Sequence, residues 1–212
     1  MPARQRNPRG EGTRLRDELL AGAQRILERT GNEDDVTLRA VAREVGVSAP
    51  SIYAHFADGR AMVDALVDRT FAELSTLLKA ARDGAEPGER LFAICKAYID
   101  FGVEQPERYL TLFERRRTLE RSELPADGNR AFLYANGAES FAILAAAISE
   151  ATDITSGSAE EDAALLWAGL HGYTSLRSSM PRFPWFADEE RVCRLLVDRA
   201  TLAARTRAQK GV

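Results

Sequence analysis

The sequence predicts an all-α protein of about nine helices, and two observations carry that expectation. Apolar residues recur at helical spacing from end to end, and no segment sustains the alternation of a strand. Glycine and proline break this pattern at only a few places, each a natural helix boundary.

Leu15, Leu19, Leu20, Ala23, Ile26 and Leu27 share one face and define the first helix. Thr13 is placed to cap it, and Gly31 to end it in a left-handed conformation. A short helix from Thr37 to Val45 follows, then Gly46-Val47, then a second from Ser48 to about Phe56. From Arg60 to Arg82, Met62, Leu66, Val67, Phe71, Leu74 and Leu78 form one stripe that stops at Gly84. Pro87 and Pro106 are each expected to open a helix, because the first turn needs no N–H partner. Three more helices are expected over about Ala126–Thr152, Ala159–Ser179 and Ala187–Ala208. Short helices thus fill residues 1–60 and longer, aromatic-rich ones fill 61–212, which reads as two domains joined by the Arg60–Arg82 helix.

Composition narrows the function classes. With 212 residues, 45% apolar and 29% charged, the chain can bury a sizeable core and is neither a disordered polymer nor a disulfide miniprotein. The longest apolar run, Ala142 to Ile148, is far short of the roughly 18 residues a membrane span needs. The opening Met1-Pro2-Ala3-Arg4-Gln5-Arg6 has no apolar segment behind its basic residues, so a cytoplasmic protein is expected. Cys95 and Cys193 lie 98 positions apart and form no CxxC pair, so no metal site, cofactor or disulfide framework is indicated. A net charge of −3 argues against a surface coated for non-specific nucleic-acid binding. Residues 1–60 hold ten arginines against nine acids, yet Arg4, Arg6 and Arg9 crowd the start with no acid beside them. That arm, residues 1–12, is either a solvated tail or a contact for an acidic polymer.

The most informative stretch runs from Thr37 to Phe56. Two helices that cross steeply need a small residue at the contact, which Ala42 supplies, and a turn residue free to take positive φ, which Gly46 supplies. Leu38, Val41, Val45, Val47, Ile52 and Phe56 can close a small core beneath the second helix. Ser48 is placed to cap that helix, and Pro50 falls in its first turn. An αα-hairpin that merely packs is the bland alternative; the capped, polar-tipped second helix favours a helix-turn-helix.

Residues 13–60, through the Tyr-x-x-Phe at Tyr53 and Phe56, resemble the DNA-binding domain of the TetR family of bacterial transcriptional regulators. The resemblance implies a homodimer on double-stranded operator DNA, with the Ser48–His55 helix in the major groove. By position it implies that Ser48, Ala49, Pro50 and Ser51 face bases, while Thr37, Tyr53 and His55 hold phosphates. Gly59 stands where the family usually carries a phosphate-binding lysine, leaving Arg60 or the helix start as a substitute. The recognition helix has no Lys or Arg, so it cannot read guanine bidentately and suits thymine methyls instead. Arg4, Arg6 and Arg9 then become candidates for an adjacent minor groove.

After residue 90 aromatic residues are dense, which favours an apolar cavity between helices. Leu166-Trp167-Ala168-Gly169-Leu170-His171-Gly172-Tyr173 resembles the Trp…His-Gly element of the family's WHG-domain subgroup, and Tyr98 to Tyr109 is similar to that subgroup as well. Trp167 and His171 share one helical face, and Gly169 and Gly172 would let another helix approach closely. His171 is either a satisfied core histidine or a group that hydrogen-bonds an effector. Phe101, Tyr109, Phe113, Phe141, Trp167 and His171 are the candidate effector contacts. The last two helices are expected to form the dimer surface the resemblance implies, through Leu165, Leu166, Leu170, Val192, Leu195, Leu196 and Arg199.

The expected function is a repressor that releases its operator on binding a small apolar or amphipathic effector. An effector-independent DNA-binding activator shares the N-terminal half. A helical-bundle enzyme using His171 is the reading from another class, but no HExxH, GxSxG or Gly-rich phosphate loop supports it.

Overall fold

The computed structural model describes residues 11–113, 135–153, 158–185 and 188–210, and among these there are nine α-helices and no strand. The helices are α1 (Glu11–Thr30), α2 (Leu38–Val45), α3 (Ala49–Tyr53), α4 (Gly59–Asp83), α5 (Arg90–Glu104), α6 (Pro106–Phe113), α7 (Ala135–Thr152), α8 (Ser158–Ser179) and α9 (Glu189–Lys210). Short 3₁₀ turns at Glu33–Asp35 and Pro87–Glu89 precede α2 and α5. Arg4, Arg6 and Arg9, and the expected helical start at Ala126, lie outside the described residues. Two compact units divide after Val67, inside α4 and beyond the Arg60/Ala61 boundary expected from sequence.

In the first unit, Leu19, Leu20, Ala23 and Ile26 of α1 meet Leu38, Val41 and Ala42 of α2, Ile52 of α3, Phe56, and Met62 and Leu66 of α4. Gly31 ends α1 at φ 63°, as expected, but α1 spans Glu11–Thr30, so Thr13 lies within the helix and does not cap it. Thr37 caps α2 by accepting from the Ala40 amide at 3.1 Å. Gly46 ends α2 at φ 75°, where any L side chain would be strained. Arg25 and Arg29 of α1 hold Glu44 of α2, and these hydrogen bonds, led by that from Arg25, lower the Glu44 pKa.

In the second unit α5 is the central helix, packing against α6, α7, α8 and α9, and burying Leu91, Ile94, Cys95, Tyr98, Ile99 and Phe101. Pro87 opens a 3₁₀ turn rather than a helix, and α5 proper starts at Arg90. Cys95 and Cys193, distant in sequence, meet as buried free thiols between α5 and α9. Glu150 of α7 binds both Arg82 of α4 and Arg90 of α5, and a buried Ser75–Ser140 hydrogen bond of 2.7 Å adds a second α4–α7 link. Arg207 of α9 reaches the buried carboxylate of Asp162 on α8 at 2.8 Å.

Candidate functional site

The first unit presents the short helix α3 by burying one residue of it. Ile52 is fully buried, whereas Ser48, Pro50 and Tyr53 are exposed, and Ala49, Ser51 and His55 are half-buried. Ser48 occupies the cap position with extended backbone, but its hydroxyl makes no capping bond. It pairs with the Ser51 hydroxyl at 2.7 Å instead, because Ser51 stands at the third helical position and offers a closer partner than an amide. Thr37 is exposed at the start of α2; its oxygen accepts from Ala40, which leaves the hydroxyl hydrogen to donate outward, the polarity a phosphate oxygen requires. Arg60 is exposed in the first turn of α4, which Asp58 caps by accepting from the Ala61 amide at 2.7 Å.

Gly59 has a structural reason. A Cβ there would lie 2.3 Å from the Val36 carbonyl oxygen, so α4 starts closer to the Val36–Thr37 backbone than any side chain permits. The lysine position of the family is thereby closed in this chain. Sequence reading noted the departure but had no way to see the contact behind it.

The second unit brings Tyr109, Phe113, Trp167 and His171 of the expected effector set together, and adds two residues that set lacked. Tyr98 of α5 and Phe71 of α4 join the cluster. Phe113 is the hub, with ring centroids 4.9 Å from Tyr109, 5.0 Å from His171, 5.7 Å from Phe71 and 6.1 Å from Trp167. Of the other two expected residues, Phe101 is fully buried on α5 and Phe141 half-buried on α7.

A chain of hydrogen bonds threads these rings. The Trp167 indole N–H donates to the Tyr98 hydroxyl at 3.2 Å, the Tyr98 and Tyr109 hydroxyls are 3.2 Å apart, and Tyr109 Oη is 2.6 Å from His171 Nδ1. Indole nitrogen only donates. The Tyr98 proton then goes to Tyr109, whose hydroxyl reaches two atoms of His171, ring Nδ1 at 2.6 Å and the backbone carbonyl oxygen at 3.4 Å. Burial, reinforced by the neighbouring Tyr109, pushes the Tyr98 pKa well above its ordinary value, so its phenol stays protonated and available to donate.

Gly102 makes this packing feasible. A Cβ there would fall 2.2 Å from Thr174 Cγ2 and 2.8 Å from Tyr109 Cδ2. One hydrogen at Gly102 thus lets α5, α6 and α8 converge on the ring cluster. The cluster is tied to α4 twice, by the edge-on Phe71–Phe113 pair and by the Glu73–Arg108 ion pair.

On α8 and α9, Leu165 is 68% exposed, Leu195 43% and Leu202 67%; Leu176 and Arg199 are exposed too, and Val192 and Leu196 are half-buried. Leu166 and Leu170 correct the sequence reading, because they are buried inside the protomer and add nothing to an outer face. The middle of α8, Ala163–Leu170, is apolar without a break, so periodicity alone could not say which leucines turn inward. Leu196 Cδ2 would lie 3.1 Å from a Cβ at Gly169, so Gly169 serves a close approach within the protomer, while Gly172 has open space around it. Among the described residues no three His, Cys, Asp or Glu side chains gather as metal ligands, and no helix is long and apolar enough to cross a membrane.

Comparison with known proteins places this architecture. Residues 19–66 match the family model described as bacterial regulatory proteins, tetR family, and residues 91–200 match that of the tetracyclin repressor-like C-terminal domain. The subgroup expectation drawn from Trp167 to Gly172 has no counterpart in that second description. A protein of unknown function from Rhodococcus sp. RHA1 is similar over 93% of this chain and 98% of its own, at 28% identity and a TM-score of 0.71. A candidate transcriptional regulator from Pseudomonas aeruginosa PAO1 is similar over 94% of this chain and 96% of its own, at 21% identity and a TM-score of 0.69. SmeT, the repressor of the Stenotrophomonas maltophilia multidrug efflux pump SmeDEF, shares the fold over 89% of each chain at 18% identity and a TM-score of 0.60. No curated protein matches the sequence. With a helix-turn-helix unit, a helical C-terminal unit and family models matched in both, the chain belongs to the TetR family of transcriptional regulators, DNA-binding proteins and not enzymes.

Proposed function

We propose that the protein is a cytoplasmic, homodimeric repressor that releases its operator when a small apolar or amphipathic effector binds the aromatic cluster of the second unit. The observation that carries this reading is the hydrogen-bonded ring chain Trp167–Tyr98–Tyr109–His171, which unites α5, α6 and α8 around half-buried Phe113. Large rings supply apolar contact area, and their polar tips orient a guest that also carries a donor or acceptor. An ordinary core would be served by apolar rings without a string of polar tips that must all be satisfied.

The same cluster supplies a route for the response. A guest that separates Tyr109 from His171 moves α6, and α6 pulls on α4 through Phe71–Phe113 and Glu73–Arg108. Helix α4 runs without a break from Gly59 to Asp83, so its residues belong to both units. An effector that prefers one position of α6 shifts the population of the whole regulator by its differential affinity. SmeT, alike in fold, is a repressor, which accords with this sign of regulation. For the dimer, the exposed Leu165, Leu176, Leu195 and Leu202 on α8 and α9 support a partner-facing surface.

The test is a melting-temperature screen of apolar and amphipathic compounds, followed by gel shifts on a duplex captured from a genomic pool. Compounds that raise the melting temperature of the wild type are expected to release the duplex. They should release it far less from the Trp167→Phe protein. Equal release from both would remove Trp167 from the site.

A further inference from the structure

The connection between α8 and α9 carries aromatic rings that the cluster around Phe113 does not use. In its described part, Met180 to Trp185, the Met180 carbonyl accepts from the Trp185 indole N–H at 2.8 Å and from the Phe183 amide at 3.1 Å. With Pro181 and Pro184 added, this turn is fixed by its own bonds. It holds the Phe183 and Trp185 rings 4.7 Å apart, and Tyr173 of α8 stands edge-to-face with Trp185 at 5.7 Å. Phe183 is 50% exposed and Met180 48%. Elsewhere Arg194 lies over the Phe92 ring and Arg16 over Phe56. Among the described residues no arginine or lysine covers these three rings, although Arg177 and Arg182 are close by in sequence.

A second observation gives the patch a chemistry. Tyr173 is buried, yet its hydroxyl has no hydrogen-bond partner among the described residues. Buried hydroxyls are normally paired, and one left orphaned needs a reason. Burial first, then Glu189, with Asp188 adding and Arg177 opposing, raises the Tyr173 pKa, so the phenol stays protonated. The hydroxyl therefore lies beside the Arg177–Glu189 ion pair, which is 3.4 Å long and part-exposed, at the acidic start of α9. Two carboxylates against one guanidinium leave the place negative. Exposed ring surface, an unpaired hydroxyl and surplus negative charge together suit a cation with an apolar body. At roughly 100° per residue, Tyr173 falls on the opposite side of α8 from His171, so the place is separate from the Trp167 cluster.

We propose that the α8–α9 turn is a second ligand site, one that takes a protonated amine. The apolar body lies on Phe183 and Trp185, and the ammonium replaces Arg177 beside Glu189 and donates one N–H to the Tyr173 hydroxyl. Because one cation is exchanged for another, Glu189 is never left alone. A quaternary ammonium finds the rings and the charge but leaves the hydroxyl unpaired, and a neutral isostere finds the rings only.

Ligand-observed NMR titrations of the full-length protein at neutral pH compare benzylammonium, benzyltrimethylammonium and benzyl alcohol. Benzylammonium is expected to bind about fivefold more tightly than the quaternary ion and about tenfold more tightly than the alcohol. Tyr173→Phe should abolish the first difference while melting at or above the wild-type temperature, because it removes an unpaired buried hydroxyl. Glu189→Gln and Trp185→Leu should each weaken benzylammonium about fivefold. Arg177→Met keeps the apolar stem and removes the competing cation, so it should tighten benzylammonium several-fold. Equal affinity for benzyl alcohol, or weaker benzylammonium binding by Arg177→Met, overturns the assignment. So does binding that survives Trp185→Leu and Glu189→Gln but is lost in Trp167→Phe, which puts the amine at the other cluster. An absence of saturable binding overturns it too. If Phe183→Ser then turns dimers into monomers on sedimentation, a second copy of the chain covers the patch instead.

Discussion

Replacing Gly102 by alanine puts one methyl group where α5, α6 and α8 converge. The new carbon would lie 2.2 Å from Thr174 Cγ2 and 2.8 Å from the Tyr109 ring, and both residues are 1% exposed. Neither neighbour can swing into solvent, so the strain must go into backbone shifts of the kind that cost about 1–3 kcal/mol. Alanine recovers about 1 kcal/mol of helix propensity over glycine in the middle of α5. The net effect is a destabilisation of about 0–2 kcal/mol, or a fall of up to a few degrees in Tm for a chain of this size. Because Tyr109 is one of the atoms displaced, the 2.6 Å bond to His171 should lengthen as well. Urea unfolding followed by circular dichroism measures the stability. Thr174→Ser, which deletes the nearest clashing carbon, should recover part of the loss when combined with Gly102→Ala. A Gly102→Ala protein more stable than wild type, with the propensity gain realised and no rescue by Thr174→Ser, would refute the close convergence.

Other substitutions test the remaining joints. Gly59→Lys, which restores the residue type usual in the family, should lower stability by about 1–3 kcal/mol and weaken DNA binding, because its Cβ meets a backbone carbonyl; gel shifts and melting check both. Aspartates at Leu195 and Leu196 would bury unpaired charge in the proposed dimer face, so sedimentation should find monomers, and a persisting dimer would move the interface elsewhere. Hydrogen bonds, first from Arg90 and then from Arg82, lower the Glu150 carboxyl below its usual 4.5. Its contribution to stability is therefore complete above that pH and is lost as pH falls through the depressed folded value. Glu150→Gln should melt below wild type at neutral pH, and the gap should close in acid.

What the sequence made legible follows the range of the interactions. The helix-turn-helix depends on neighbours within twenty positions, so the Ala42 contact and the Gly46 turn could be placed from spacing alone. Even there, local geometry chose between near-equal partners, giving the Ser48 hydroxyl to Ser51 rather than to an amide. The ring cluster is different. Tyr109 and His171 lie 62 positions apart and Trp167 and Tyr98 lie 69 apart, and no periodicity joins them. Aromatic density after residue 90 announced a cluster of some kind and caught four of its members. Tyr98 escaped because α5 buries residues on several sides, Leu91, Ile94, Cys95, Ile99 and Phe101 among them, so its pattern singled out no one inward face. The close approaches at Gly59 and Gly102 were invisible for the same reason, since what a glycine touches is a property of two elements at once.

Reciprocity between the two ligands gives the most direct test of an effector-responsive DNA-binding regulator. Trp185→Phe leaves Trp167 as the sole indole, beside the ring chain, so its fluorescence reports binding at the cluster. A compound from the screen is titrated into this protein with and without saturating operator duplex, and the duplex is titrated with and without saturating compound. The account requires the operator to weaken the compound by the same factor by which the compound weakens the operator, with both effects lost in Trp167→Phe. A compound that perturbs Trp167 fluorescence with identical affinity in the presence and absence of DNA would contradict it.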